Sequence, residues 1–184
     1  MLVTGACRFL GGYLTARLAQ NPMINKVIAV DAIAPSKDLL RRMGRAEFVR
    51  ADIRNPIIGK VIAAAGVDTV VHMGVISTPV QAGGRVSMKE INVIGTMQLL
   101  AACQKAEGIS RLIVKSTSSV YGAGPKDPAM FTEDTEPRSQ PRSGWAKDSV
   151  EVATSAGERW SCSNDPAPTA TRSPSARRRG GVSA

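Results

Sequence analysis

Short apolar runs alternate with stretches of helical periodicity from the first residue onward. Leu2-Val3 opens the series, Lys26–Val30 is a β-branched run ending at Asp31, and Glu47–Arg50, Thr69–His72 and Arg111–Val114 follow. Helical patterns lie between them, near Gly11–Gln20, Ser36–Met43, Pro56–Ala65 and, longest of all, Val86–Lys105. The central strand runs are apolar throughout and do not alternate with polar residues, so both of their faces must be covered. Strands of that kind separated by helices predict an α/β fold, a doubly wound parallel sheet.

The pattern changes after the fifth strand. Gly122, Gly124, Pro125, Pro128, Pro137 and Pro141 stand in a polar setting, which predicts a surface loop over residues 122–142. A further helix is expected from about Arg142, carrying Lys147. From Thr154 to Ala184 there is no Leu, Ile, Met or Phe, and a stretch so poor in apolar side chains cannot offset the entropy of ordering. The expected organisation is therefore one domain over residues 1–152 and a disordered C-terminal tail over 153–184. Residues 169–181 read like GC-rich DNA translated in the wrong frame, so the domain pattern is expected to end near Val152 through a frameshift or premature stop. A natural disordered tail is the alternative, and a basic arm for RNA or membrane a third. The first strand, with only about three residues before its turn, likewise looks clipped.

The net charge of +9 invites a nucleic-acid reading, but its distribution speaks against one. Residues 153–184 hold five Lys/Arg against two Asp/Glu, so a third of the charge belongs to the tail. In the body, basic residues are interleaved with acids on helical faces, as in Lys37-Asp38-Leu39-Leu40-Arg41-Arg42, and no aromatics alternate with them to stack bases. No run reaches the roughly eighteen apolar residues of a membrane span, and Met1 leads straight into strand pattern with no secretory leader. A cytoplasmic protein with no specific nucleic-acid or membrane partner is expected. The three cysteines, Cys7, Cys103 and Cys162, have no metal-ligand spacing and fit free thiols in a reducing compartment, with no metal site. Cys7 and Cys103 read as small packing residues.

The segment Thr4-Gly5-Ala6-Cys7-Arg8-Phe9-Leu10-Gly11-Gly12 lies between the first strand and the first helix. Gly5 permits a tight turn and Gly11 permits the helix to pack closely on the sheet. The exposed N–H groups and dipole of that helix end then favour a dinucleotide diphosphate. Asp31 follows at the end of the second strand, where a carboxylate can accept bonds from the adenosine ribose hydroxyls and repel a 2′-phosphate. Strand, glycine turn, helix and acid together predict a Rossmann-like site for NAD in preference to NADP.

These residues also carry a likeness to a family. The glycine turn, Asp31, Ala51-Asp52-Ile53, Val71-His72-Met73-Gly74, Asn92-Val93-Ile94-Gly95-Thr96 and Ser116-Thr117-Ser118-Ser119-Val120-Tyr121-Gly122 resemble extended short-chain dehydrogenase/reductases of the NAD-dependent epimerase/dehydratase type. The likeness is to the actinobacterial UDP-glucose 4-epimerase-like branch, and covers about residues 1–152, leaving the fold incomplete. It implies that Gly5, Cys7, Arg8, Phe9, Leu10 and Gly11 surround the diphosphate, and that Asp52 and Ile53 meet the adenine. Met73, Gly74 and Val75 would lie along the inner ribose, and Asn92 would support the backbone there. A loop cap is an equal reading for Asp52, and a helix cap or surface amide the alternative for Asn92. His72 is read as a packing residue, since no carboxylate partner follows it locally.

The family chemistry implied is reversible hydride transfer between a nucleotide-sugar carbon and NAD. A Tyr serves as acid/base, with a Lys four residues later that lowers its pKa and holds the nicotinamide ribose. Thr117 matches the Ser/Thr that steadies the proton path, and Lys147 matches the Lys. Four residues before Lys147 stands Ser143, and Tyr121 belongs to the Val-Tyr-Gly motif as a structural residue. Catalysis would thus fall to Thr117, Lys147 and Ser143, and a serine hydroxyl is a far weaker acid than a phenol. Arg8 stands where the pattern has its middle glycine, its side chain turned outward or paired with a phosphate oxygen. Three readings remain open: an epimerase or dehydratase, a non-catalytic NAD-binding remnant of one, and an interaction protein on the same fold. The family also implies a possible homodimer through the helices near Val86–Lys105 and Lys147.

Overall fold

Strands β1 (Leu2–Thr4), β2 (Ile28–Asp31), β3 (Glu47–Arg50), β4 (Thr69–His72) and β5 (Arg111–Val114) form one parallel sheet in the order β3-β2-β1-β4-β5. The computed structural model describes residues 1–76 and 79–122, with 125–127, 130–132, 134–135, 147–148 and 151. Leu2 pairs with Ile28 on one side and Val70 on the other, which puts β1 at the centre. The three inner strands are almost wholly buried, whereas β3 and β5 at the edges of this sheet are partly exposed. That difference matches their sequences, apolar within and mixed at the rims.

Helices α1 (Phe9–Gln20) and α2 (Lys37–Met43) pack together, as do α3 (Ile57–Ala65) and α6 (Thr96–Lys105). Successive residues of β2 feed different layers. Ile28 and Val30 join the core shared with Ile58, Ile62, Leu99 and Cys103, while Ala29 joins Ala6 and Met43. Full burial of side chains such as Ile58 and Leu99 is worth about 1.5–3 kcal/mol each, so the α3/α6 layer is the stronger clamp on the sheet. Cys103 is a packing residue, as its sequence setting indicates, and burial pushes its thiol up to about 12.

Several element bounds differ from the sequence reading, each for a local reason. α1 begins at Phe9, two residues early, because Phe9 and Leu10 are helical yet largely exposed and so fall outside the buried periodicity. Arg8 is its N-cap, with extended backbone and no side-chain bond to the helix. The long helix expected over Val86–Lys105 is not continuous. It runs as α5 (Arg85–Lys89), a π turn at Glu90–Gly95, then α6, and a short α4 (Pro79–Ala82) precedes it. A π turn inserts a residue without disturbing the apolar stripe enough to show in sequence. A 3₁₀ turn (Ser118–Tyr121) follows β5, and Tyr121 stacks on Phe131 with ring centroids 4.3 Å apart, in keeping with a structural role.

The helix expected near Lys147 is present at its described positions. Lys147 is exposed, and the carboxylate of Asp148, almost fully buried, receives both terminal nitrogens of Arg85, fastening this segment to α5. Ser143 and the tail 153–184 lie outside the described residues, as does most of the expected loop. No helix among the described residues is long and apolar enough to cross a membrane.

Candidate functional site

The chain leaves β1 toward β2 and β3, then returns across the sheet to β4 on the other side of β1. The loops after β1 and β4 therefore diverge, and a crevice opens at the C-terminal ends of the strands. Its floor is backbone. Gly5 has φ +72°, and a Cβ there would lie 2.5 Å from the Cα of Gly74; a Cβ on Gly11 would lie 2.0 Å from the Gly5 carbonyl oxygen. Glycine is thus required in the turn for conformation and in the helix for packing. The N-terminus of α1 has neither side-chain cap nor acid in its first turn, which leaves its first N–H groups without side-chain partners, and its N-cap residue Arg8 borders this opening.

Gly5, Arg8, Asp31, Asp52, Ile53 and Gly74 line one cleft of about 280 Å³. The carboxylate of Asp31 is locked: Oδ2 accepts the Cys7 N–H at 2.9 Å and Oδ1 the Ile33 N–H at 3.1 Å. One backbone N–H on each oxygen leaves further lone pairs free for a ligand. Cys7 is more than a packing residue, since its thiol donates to the Ile33 carbonyl at 3.0 Å. Burial and the Asp31 charge push that thiol up to about 11, so it stays protonated.

Asp52 does not cap α3. It accepts from the Arg54 N–H at 2.9 Å and from its guanidinium at 2.6–3.1 Å, and Arg54 reaches on to Glu90 in the π turn. The Arg54 hydrogen bonds hold the Asp52 carboxyl below its ordinary range. Asn92 is neither a helix cap nor a surface amide. It is buried, its Oδ1 accepts the Ile76 N–H and its Nδ2 donates to the Ile76 carbonyl, both at 2.8 Å. The loop after β4 is pinned from behind, and the π turn is what aims that amide.

His72 lies under the crevice, fully buried, with Nδ1 2.6 Å from Thr4 Oγ1 and Nε2 3.0 Å from Thr96 Oγ1. Burial, with a smaller push from Lys115, lowers its pKa to about 4. Both ring nitrogens are committed to threonine hydroxyls, which fits packing and leaves no nitrogen turned to the opening. Met73 and Val75 flank Gly74; the Met73 N–H bonds the Thr4 carbonyl, and the Val75 carbonyl accepts from Lys115 Nζ at 2.9 Å. Phe9 and Leu10 are mostly exposed on the first turn of α1. Thr117, half-buried, follows β5; Lys147 is not among the residues lining the cleft.

The structure adds lining residues that sequence did not single out, among them Arg54, Gln81, Ser87 and Ile91. Ile91 and Lys115 each adjoin a recognisable motif; Gln81 and Ser87 carried no signal. No cluster of His, Cys, Asp and Glu that could hold a metal occurs among the described residues.

Sheet order, glycine turn and strand-end aspartate define a Rossmann-like domain. The chain belongs to the NAD dependent epimerase/dehydratase family, whose model matches residues 1–154. It is 66% identical over 152 residues to an uncharacterized protein of Mycobacterium tuberculosis, covering 83% of this chain and 40% of that relative. It is 30% identical over 126 residues to UDP-glucuronic acid decarboxylase 6 of Arabidopsis thaliana, covering 66% of this chain and 34% of that one. The fold matches dTDP-glucose 4,6-dehydratase of Bacillus anthracis, crystallised in complex with NAD, with TM-score 0.72 and 26% identity, over 87% of this chain and 50% of the dehydratase.

Proposed function

We propose that this chain binds NAD in the crevice at the ends of β1 and β4 and serves as the cofactor-binding domain of a nucleotide-sugar epimerase or dehydratase. The observation that carries this reading is the backbone floor made by Gly5, Gly11 and Gly74, with the Asp31 carboxylate held in place beside it. Without side chains there the turn stays tight and its main chain is open to close approach by a diphosphate, and the two relatives with named activities act, by their names, on nucleoside-diphosphate sugars.

The first-turn N–H groups of Phe9, Leu10 and Gly11 would hold the diphosphate. Asp31 would take the adenosine ribose hydroxyls and exclude a 2′-phosphate, and Asp52 and Ile53 would border the adenine. Met73, Gly74 and Val75 would flank the inner ribose, on a loop kept in place by Asn92. Bound NAD supplies the hydride acceptor. Thr117 and Lys147 are assigned to the sugar end by the family pattern. Ser143 replaces the phenol expected there, so proton transfer at the sugar is expected to be slow and turnover low.

Calorimetry tests the binding. NAD should bind measurably and NADP at least about tenfold more weakly, one carboxylate–phosphate repulsion being worth about 1.4 kcal/mol or more; absence of NAD binding would overturn the reading. A UDP-sugar or dTDP-sugar assay tests the rest, and turnover at the rate of active family members would sink the impaired-enzyme reading. We also place a homodimer face on the helical stretch from Arg85, where Val86 and Ile94 are 75% and 53% exposed. Sedimentation velocity should show a dimer that Val86→Asp dissociates.

A further inference from the structure

We infer that Arg8 and Lys115 form a cationic pair that grips the diphosphate of the dinucleotide, an inference that rests on the NAD-binding reading above. Arg8 lies within the glycine turn, where the family pattern has glycine, and Lys115 follows the edge strand β5, outside every motif read from the sequence. Arg8 caps α1 at the mouth of the crevice and lines the cleft with Gly5 and Gly74. Lys115 is anchored on the loop after β4, next to the cleft-lining Gly74. Its ammonium gives one N–H to the Val75 carbonyl, one residue beyond Gly74, and two of its three donors remain.

No carboxylate among the described residues pairs with either cation. The ion pairs of the described chain lie elsewhere, at Lys26–Glu47, Asp38 with Arg41 and Arg42, Asp52–Arg54–Glu90, and Arg85–Asp148. Asp31, which lines the cleft with Arg8, is held by the Cys7 and Ile33 N–H groups and forms no ion pair with either cation. Lys115 is partly desolvated, and burial first, then the Arg8 charge, holds its pKa below the ordinary lysine value. Two like charges thus stand near a helix N-terminus, neither of them in an ion pair with a described carboxylate. A ligand carrying two negative charges relieves that repulsion, and the diphosphate is such a ligand. The guanidinium fork suits bidentate contact with phosphate oxygens, and the ammonium acts as a point charge.

Calorimetry on the full chain, with NAD, adenosine and inorganic pyrophosphate as probes, tests the pair. Arg8→Gly and Lys115→Met should each weaken NAD and pyrophosphate binding about tenfold or more, the scale of a charge-assisted hydrogen bond, and leave adenosine within about twofold. Lys115→Arg should recover most of the loss. With wild-type chain alone, raising salt from 0.05 to about 0.5 M should weaken NAD binding and spare adenosine, as charge pairing requires. If Arg8→Gly binds NAD as well as wild type, or salt has no effect, the pair is refuted while the NAD reading stands. If wild type binds neither NAD nor pyrophosphate, both fall; pyrophosphate without NAD would leave the anion site and remove the dinucleotide.

Discussion

At the β1–β2 end of the crevice the groups facing the opening are fixed by main chain: Gly5 seats against Gly74, and both Asp31 oxygens are tied to backbone N–H groups. At the β5 end they are side chains on two segments, the loop after β5 and the Lys147 helix. Thr117 and Lys115 follow an edge strand whose Ile113 is 47% exposed, and the segment of Lys147 is fastened by its neighbour's ion pair to Arg85. The first end offers geometry that any member of the family can use on one shared cofactor. The second depends on which side chains the neighbouring segments bring, and the replacement proposed at Ser143 would act there.

The sharpest way to break this contrast is at the main-chain end. Gly5→Ala places a Cβ within 2.5–2.8 Å of Gly74 and Met73 backbone at φ +72°, where neither side can yield cheaply. A stability loss on the order of 3 kcal/mol or more is expected, together with loss of NAD binding, read by thermal melting and calorimetry. An alanine variant that melts and binds like wild type would show the floor to be adaptable.

The shared floor beneath both ends is His72, and acid should find it. The unfolded chain takes up a proton near pH 6.5, but folded His72 resists protonation until about 4. Stability is therefore full above about pH 6.5 and falls as pH drops through that window, by about 3 kcal/mol in all. Chemical denaturation at pH 7.5 and 4.5 would measure it. His72→Gln should be less stable at pH 7.5 but lose less between the two values; an equal loss would assign the acid sensitivity to other groups.

The smallest effect is expected at the side-chain end. Ser143→Tyr restores the missing phenol, yet turnover of UDP-sugars should rise by no more than about tenfold, a tenth of the lower limit of ordinary acid–base catalysis. The reason is that one phenol supplies a single proton path and none of the substrate positioning that full acceleration also needs. A gain of a hundredfold or more would show the two ends to be equally preorganised.

Much of this arrangement was legible along the chain. Apolar runs without alternation announced parallel strands buried on both faces, and the glycine turn and Asp31 announced the crevice, because both signals are local. The π turn was not legible, since one inserted residue leaves the apolar stripe of the helix almost unchanged while rotating Asn92 onto Ile76. Nor was the Arg54 bridge between Asp52 and Glu90, which joins residues far apart in sequence.

The sequence by itself determined the order of strands and helices, the places where only glycine fits, and the acid at the end of β2, because periodicity, turn chemistry and residue size act over a few neighbours. Long-range folding was needed to set Gly5 against Gly74, to lock His72 between two threonines and to bring Lys115 onto the loop beside Gly74. Those pairings span 24 positions or more, and what sets them is the return of the chain from β3 across β1 to β4 and β5.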